Sequence, residues 1–200
     1  CLDEAVKISN RENLDSNNRR IFLYAVMCHD MGKPETTSIN DVGHIISHGH
    51  ESAGVNVSKS FLNRIGVENS IIENVLPLVG NHLRHLQADS AKTVRRLTVS
   101  IVPSNIYMLS LVIEADHSGR GSMPKGMPIE AKKMVEIAES MNISNNAIKP
   151  IIMGRHLIDI GFKPSPEFKE ILTKTFNAQI EGIFYDIEGG MEFVKSITEL

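Results

Sequence analysis

The chain has 200 residues, 42% hydrophobic and 22% charged, enough to bury one good core or one domain with a small appendage. Its net charge of −3 and pI near 6.3 exclude a global basic field, so any contact with RNA has to be local. Two cysteines, Cys1 and Cys28, exclude a disulfide framework and a Cys-x-x-Cys metal site, and no apolar run nears a membrane span, so the chain is expected to be reduced and cytoplasmic.

Aromatic residues are scarce at 5%, with no Trp, whereas Met is frequent at 9. Segments rich in Leu, Ile, Met and Ala with few β-type runs lean toward an all-α core. Leu2, Ala5, Val6 and Ile8 form an amphipathic stub, and Asn17 or Asn18 is expected to cap the next helix. Ile21, Phe22, Ala25 and Cys28 make its apolar stripe, which runs into His29-Asp30-Met31-Gly32-Lys33. Adjacent helical residues diverge by about 100°, so His29 and Asp30 converge on one point only where a helix ends, and Gly32 and Pro34 supply such an end.

Residues 32–47 read as a loop with a small hairpin at its tip, with Asp41 and Gly43 near the turn. A helix starting near Ser47 carries His50 in its first turn and closes at Gly66. The next, over 68–86, leads from Ile71, Ile72, Val75, Leu78 and Val79 to His82, with Pro77 predicting a kink or a broken start. Ser90 caps a short helix that stops at Val102-Pro103. Ser104 is expected to cap a helix that is apolar nearly all round, hence central and buried, and that ends in Asp116. A carboxylate there is costly unless paired or ligated. The Gly/Pro-rich run 119–128 is a candidate boundary, giving domains 1–126 and 127–200 with the second as a helical tail packed on the first. Helices are expected over 129–141, 150–160, 164–181 and 186–198, with Ser165 capping the third and Pro166 at its first position.

Taken singly, each histidine is more often a surface or satisfied core residue than a ligand. Jointly, His29, Asp30, His50, His82 and Asp116 each fall at the terminus of an expected core helix. Helix ends facing one pocket can assemble a mixed imidazole/carboxylate site for a divalent transition metal.

These residues carry a resemblance. His29-Asp30, then His48-Gly49-His50-Glu51, His82 and Glu114-Ala115-Asp116 resemble the HD phosphohydrolase superfamily. Within it the chain is similar to the HD domain that follows the nucleotidyltransferase head of bacterial CCA-adding tRNA enzymes. Gly154-Arg155-His156-Leu157-Ile158 and the following Gly161–Phe168 carry the finer likeness, because a generic HD domain lacks them. The resemblance implies an all-α HD-domain helical bundle with a C-terminal helical extension. His29, Asp30 and Asp116 would be metal ligands, and His50 and His82 would complete a second site or contact phosphate. Lys33 would meet a substrate phosphate, and Arg120 would do the same or pair with Asp116. The implied cofactor is a divalent ion (Mn, Ni, Co, Fe or Mg). The implied activity is hydrolysis of phosphomonoesters or 2′,3′-cyclic phosphodiesters of nucleotides or RNA 3′ ends, with Asp30 and Lys33 in the chemistry.

The family's first histidine ligand is absent from these 200 residues and is expected just upstream of Cys1, in a longer polypeptide. Nucleotide addition is excluded for this piece, which has no Gly-Ser followed by a paired Asp-x-Asp. The alternative is a non-catalytic tRNA-binding module. Its phosphate contacts would be Lys149, Arg155, Lys163, Lys169 and Lys174, although Asp159, Glu167, Glu170 and Glu181 interleave with them as on a solvated face.

Overall fold

Helix α1 (Leu2–Arg11) buries Ala5, Ile8 and Ser9. Asp15 starts the next helix, α2 (Ser16–Cys28), its Oδ1 accepting from the amides of Asn17 and Asn18 at 2.9 Å. The cap thus precedes the asparagines expected to form it, because they supply the amides that Asp15 binds. This computed structural model describes residues 1–198.

After α2 the chain turns into a short helix, α3 (Lys33–Thr36), in a segment read as loop. Pro34 lies in its first turn, where a missing N–H leaves no bond unmade. The expected hairpin follows as β1 (Ser38–Ile39) and β2 (Ile45–Ile46), antiparallel, with Ser38 opposite Ile46 and Ile39 opposite Ile45. Asn40 Oδ1 closes its turn by accepting from the amides of Val42 and His44 at 3.1 and 2.8 Å.

Helix α4 (His50–Arg64) packs on both α3 and α5 (Asn69–Asn81), and α5 packs on α2. Pro77 lies inside α5 without breaking it, and Leu78 and Val79 beyond it remain fully buried. A 3₁₀ turn at Arg84–Gln87 leads to α6 (Ala91–Ser100), whose cap is Ser90 as expected, in a reciprocal box with Thr93. Asn105 rather than Ser104 caps α7 (Ile106–Gly119), its Oδ1 accepting from the Met108 amide at 2.8 Å. Ser104 is itself buried, one residue short of the position from which a side chain can reach that amide.

Helix α7 is the central helix the sequence predicts, buried continuously from Met108 to Ala115. The buried Glu114 carboxylate within it accepts two parallel bonds from Arg11, 2.7 Å from Nη1 and 2.8 Å from Nη2. Arg11 Nε also donates to Glu12 at 2.7 Å, and the second oxygen of Glu12 accepts from the Tyr107 hydroxyl at 2.7 Å. This polar strap ties α1 to α7. Burial, then the bond to Glu12, pushes the Tyr107 phenol up to about 12.

The Gly/Pro-rich run does not divide the chain. Helix α8 (Ile129–Ser140) belongs to the first compact unit, Cys1–Ala147. Its Ala131, Met134 and Ala138, with Ile143 beyond, complete the first hydrophobic core, so cutting at residue 126 would strip that core.

The second unit runs from Ile148 and contains α9 (Gly154–Asp159), α10 (Glu167–Glu181) and α11 (Ile187–Thr198). Pro166, not Ser165, holds the cap position of α10, and the Ser165 carbonyl accepts from the Phe168 amide at 3.1 Å. Ile152, Leu157, Ala178, Phe184 and Val194 form its core. Buried Gln179 staples it, accepting from the Ile151 amide and donating to the Lys149 carbonyl, both at 2.9 Å. On the exposed face of α10, Lys174 pairs with Glu170 at 2.8 Å. Among the described residues no helix is long and apolar enough to cross a membrane.

Candidate metal centre

Four helix ends meet at one corner of the first unit. His29 is the cap residue at the end of α2, and Asp30 follows where the chain has left the helix. His82 holds the same position after α5. His50 opens α4 because Gly49 before it takes a left-handed φ of 78°, which turns the chain sharply into the helix. Asp116 stands in the last turn of α7.

Each imidazole is tethered in the same way. Nδ1 of His29, His50 and His82 lies 2.7 Å from the carbonyl oxygen three residues earlier, that of Val26, Ser47 and Val79 respectively. A carbonyl oxygen only accepts, so each Nδ1 carries a hydrogen and each Nε2 is turned inward. His50 Nε2 sits 3.3 Å from both His82 Nε2 and Asp30 Oδ1. His29 Nε2 lies 3.3 Å from Asp30 Oδ2 and 3.4 Å from Asp116 Oδ1, yet it is buried and forms a well-aligned hydrogen bond with neither.

The electrostatics follow from this crowding. Burial works against a charged His29, but Asp116 and Asp30 outweigh it and raise the ring to about 9. Burial alone would raise Asp116, yet His29 and Arg120 bring it down to about 2. Asp30 is likewise held well below the usual carboxylate range: His29 and Lys33 overcome its burial. Among the described residues His82 has no carboxylate in bonding range, so burial dominates and draws it down to about 4, a neutral ring at pH 7.

The donor set fits a divalent cation. Among the described residues two groups keep their ligand atoms within 4.8 Å of one another: Cys1, His29 and Asp116, and Asp30, His50 and His82. Asp30 joins them, one oxygen facing His29 and the other His50. Two Nε2 atoms face to face beside a carboxylate, and a buried Nε2 between two carboxylates with no aligned bond, are donors a cation can share once it displaces the His29 proton. Imidazole nitrogens mixed with carboxylate oxygens suit borderline divalent transition metals.

All five expected ligand residues are therefore brought together. Lys33 and Arg120 stand at the rim, paired with the carboxylates: Lys33 Nζ is 2.6 Å from Asp30 Oδ2, and Arg120 binds Asp116. Exposed His48 lies on the adjoining cleft, outside both groups. Nothing in the sequence singles out Cys1, whose exposed thiol groups with His29 and Asp116.

Sequence reasoning also missed a spacing device. A side chain at Gly32 would overlap the carbonyl oxygen of His50 and the amide of Gly54. Gly32 has an ordinary φ of −81°, so close backbone approach, not a special conformation, requires glycine. Gly32→Ala is expected to cost about 2 kcal/mol through overpacking and to displace His50. Thermal unfolding and cation affinity of the variant check this; wild-type values for both would refute the contact.

The HD domain family matches residues 4–135. A multifunctional CCA protein of Tolumonas auensis is 28% identical over 123 residues, an alignment covering 58% of this chain and 29% of that protein. The chain thus spans less than a third of that relative's length. No solved structure matches the chain.

Proposed function

The chain belongs to the HD domain family, whose members are metal-dependent phosphohydrolases, and from that premise we propose that it hydrolyses phosphomonoesters or 2′,3′-cyclic phosphodiesters of nucleotides or RNA ends. The observation that carries the reading is the shared tether of His29, His50 and His82, which aims three Nε2 atoms at two carboxylates. His29, Asp30 and Asp116 would hold one ion, and Asp30, His50 and His82 a second. Such an ion supplies Lewis-acid activation of water and neutralises charge at phosphorus.

The protein's own groups have distinct tasks. Asp30 faces the two donor groups through its separate oxygens and would be the carboxylate that takes the proton of the attacking water. Lys33, now on Asp30 Oδ2, can swing its compact charge to a phosphate oxygen. Arg120 stands ready to do the same from the Asp116 side with a planar fork. The CCA protein relative supports nucleic-acid ends as the substrate class, and RNA 3′ ends, including those of tRNA, are the partners this reading implies.

The test uses the whole chain with bis-p-nitrophenyl phosphate and 2′,3′-cyclic AMP, under Mn, Ni, Co, Fe or Mg. Turnover that vanishes in EDTA and returns with one of these ions is expected. No cation-dependent turnover sinks the enzyme reading, and retained tRNA binding would then favour a non-catalytic module. Asp116→Ala is expected to lose bound cation by elemental analysis; full occupancy in that variant refutes the ligand assignment.

A further inference from the structure

Arg84 lines two clefts at once. The larger, of about 480 Å³, includes Lys33 and His50 of the metal corner and is flanked by Ile46 and Leu86. The smaller, of about 160 Å³, lies on the other side of Arg84 and Gln87 and reaches Thr93 and Arg96. Arg84 and Gln87 therefore form the ridge between them. A volume near 480 Å³ is in the range of small-molecule sites, whereas the smaller cleft has room for little more than a phosphate group. Leu86 is 62% exposed and Ile46 half-buried, so the larger cleft offers apolar flanks on which a base can stack. One acid, Glu51, also lines it.

Arg84 is positioned by the corner itself. It follows His82 by two residues, on the 3₁₀ turn that packs against α8, and His85 Nδ1 bonds back to the His82 carbonyl at 3.0 Å. Its side chain is exposed, with Nη1 3.5 Å from Gln87 Oε1, the outer edge of hydrogen-bond range. A planar guanidinium held so loosely is available to a phosphate.

Resting on the phosphohydrolase reading above, we propose that Arg84 is a specificity-determining residue that binds the phosphate adjoining the reactive one, so that the protein takes oligonucleotide ends in preference to mononucleotides. A mononucleotide fills the larger cleft alone and brings no second phosphate to the ridge. A chain one phosphate longer crosses the ridge and meets Arg84.

Arg84→Ala is compared with the wild type on 2′,3′-cyclic AMP and on a trinucleotide ending in a 2′,3′-cyclic phosphate. Its kcat/KM on the trinucleotide is expected to fall about tenfold, mostly through KM, the loss of one charge-assisted bond. On the cyclic mononucleotide, which meets Arg84 only as part of the cleft wall and has no second phosphate for it to bind, the loss is expected to stay under about twofold. An equal loss on both substrates, or no loss on the trinucleotide, overturns the proposal. Should the wild type hydrolyse neither, the enzyme reading fails, and binding alone decides the role of Arg84. Fluorescence anisotropy with a labelled trinucleotide should then show about tenfold weaker binding by Arg84→Ala and a log–log salt slope smaller by about 0.7. Equal affinity and slope overturn the proposal in that case.

Discussion

Asp30→Ala is expected to lower cation-dependent hydrolysis by about a thousandfold or more, roughly 4 kcal/mol of transition-state stabilisation. Asp30 touches three residues of the corner: His29 and Lys33 through one oxygen, His50 through the other. Truncating it separates the two donor groups and releases Lys33 from its partner. The side chain is 37% exposed, so its loss opens no core cavity, and helicity and unfolding temperature are expected to stay near wild type. Activity and stability should therefore part company. Steady-state rates on bis-p-nitrophenyl phosphate beside a circular dichroism melt make the comparison. A folded variant that keeps its cation-dependent rate would remove Asp30 from the mechanism.

The second large effect concerns stability. Arg11→Ala leaves the Glu114 carboxylate, 4% exposed, buried in α7 without its two-pronged partner. Breaking a buried pair from one side costs about 3–5 kcal/mol; Arg11 is itself half-exposed, which places the expected loss near 3. For a chain of this size that lowers the melting temperature by about 10 °C. Replacing both partners, as in Arg11→Met with Glu114→Leu, should restore most of the loss, because no charge is then stranded. A double-mutant cycle by thermal unfolding reads the coupling directly. Additive losses would mean that the strap from α1 to α7 does not hold Glu114 in place.

Much of this was legible from residue order. The apolar stripes leading to His29, His82 and Asp116, the all-α character and the hairpin after α3 follow from periodicity and turn residues. The meeting of those helix ends did not: spacing places each residue at a terminus, but only packing decides which termini face each other. The resemblance to HD domains supplied that step. The caps at Asp15 and Asn105 were missed by one to three positions, since neighbouring Asn and Ser residues offer equally good oxygens and the approach angle chooses among them. The tether of each imidazole to the carbonyl three residues back has a sequence trace only in hindsight, namely a histidine placed just beyond a helix end or at its start. Glu114 carried a fairer signal: a carboxylate within an apolar helix demands a partner, although nothing local points to Arg11, about a hundred residues away. The boundary at residue 126 failed because Gly and Pro mark turns as readily as domain limits, and only the apolar stripe of α8 shows which core it serves.

The corner draws its ligand atoms from helices that are far apart along the chain, from His29 to Asp116. It exists only once α2, α4, α5 and α7 have all docked. A cation that binds only the docked arrangement adds its binding free energy to the native state. The bundle would then open more slowly with the ion than without it. A chelator would act on the lifetime of the whole first unit as well as on its chemistry.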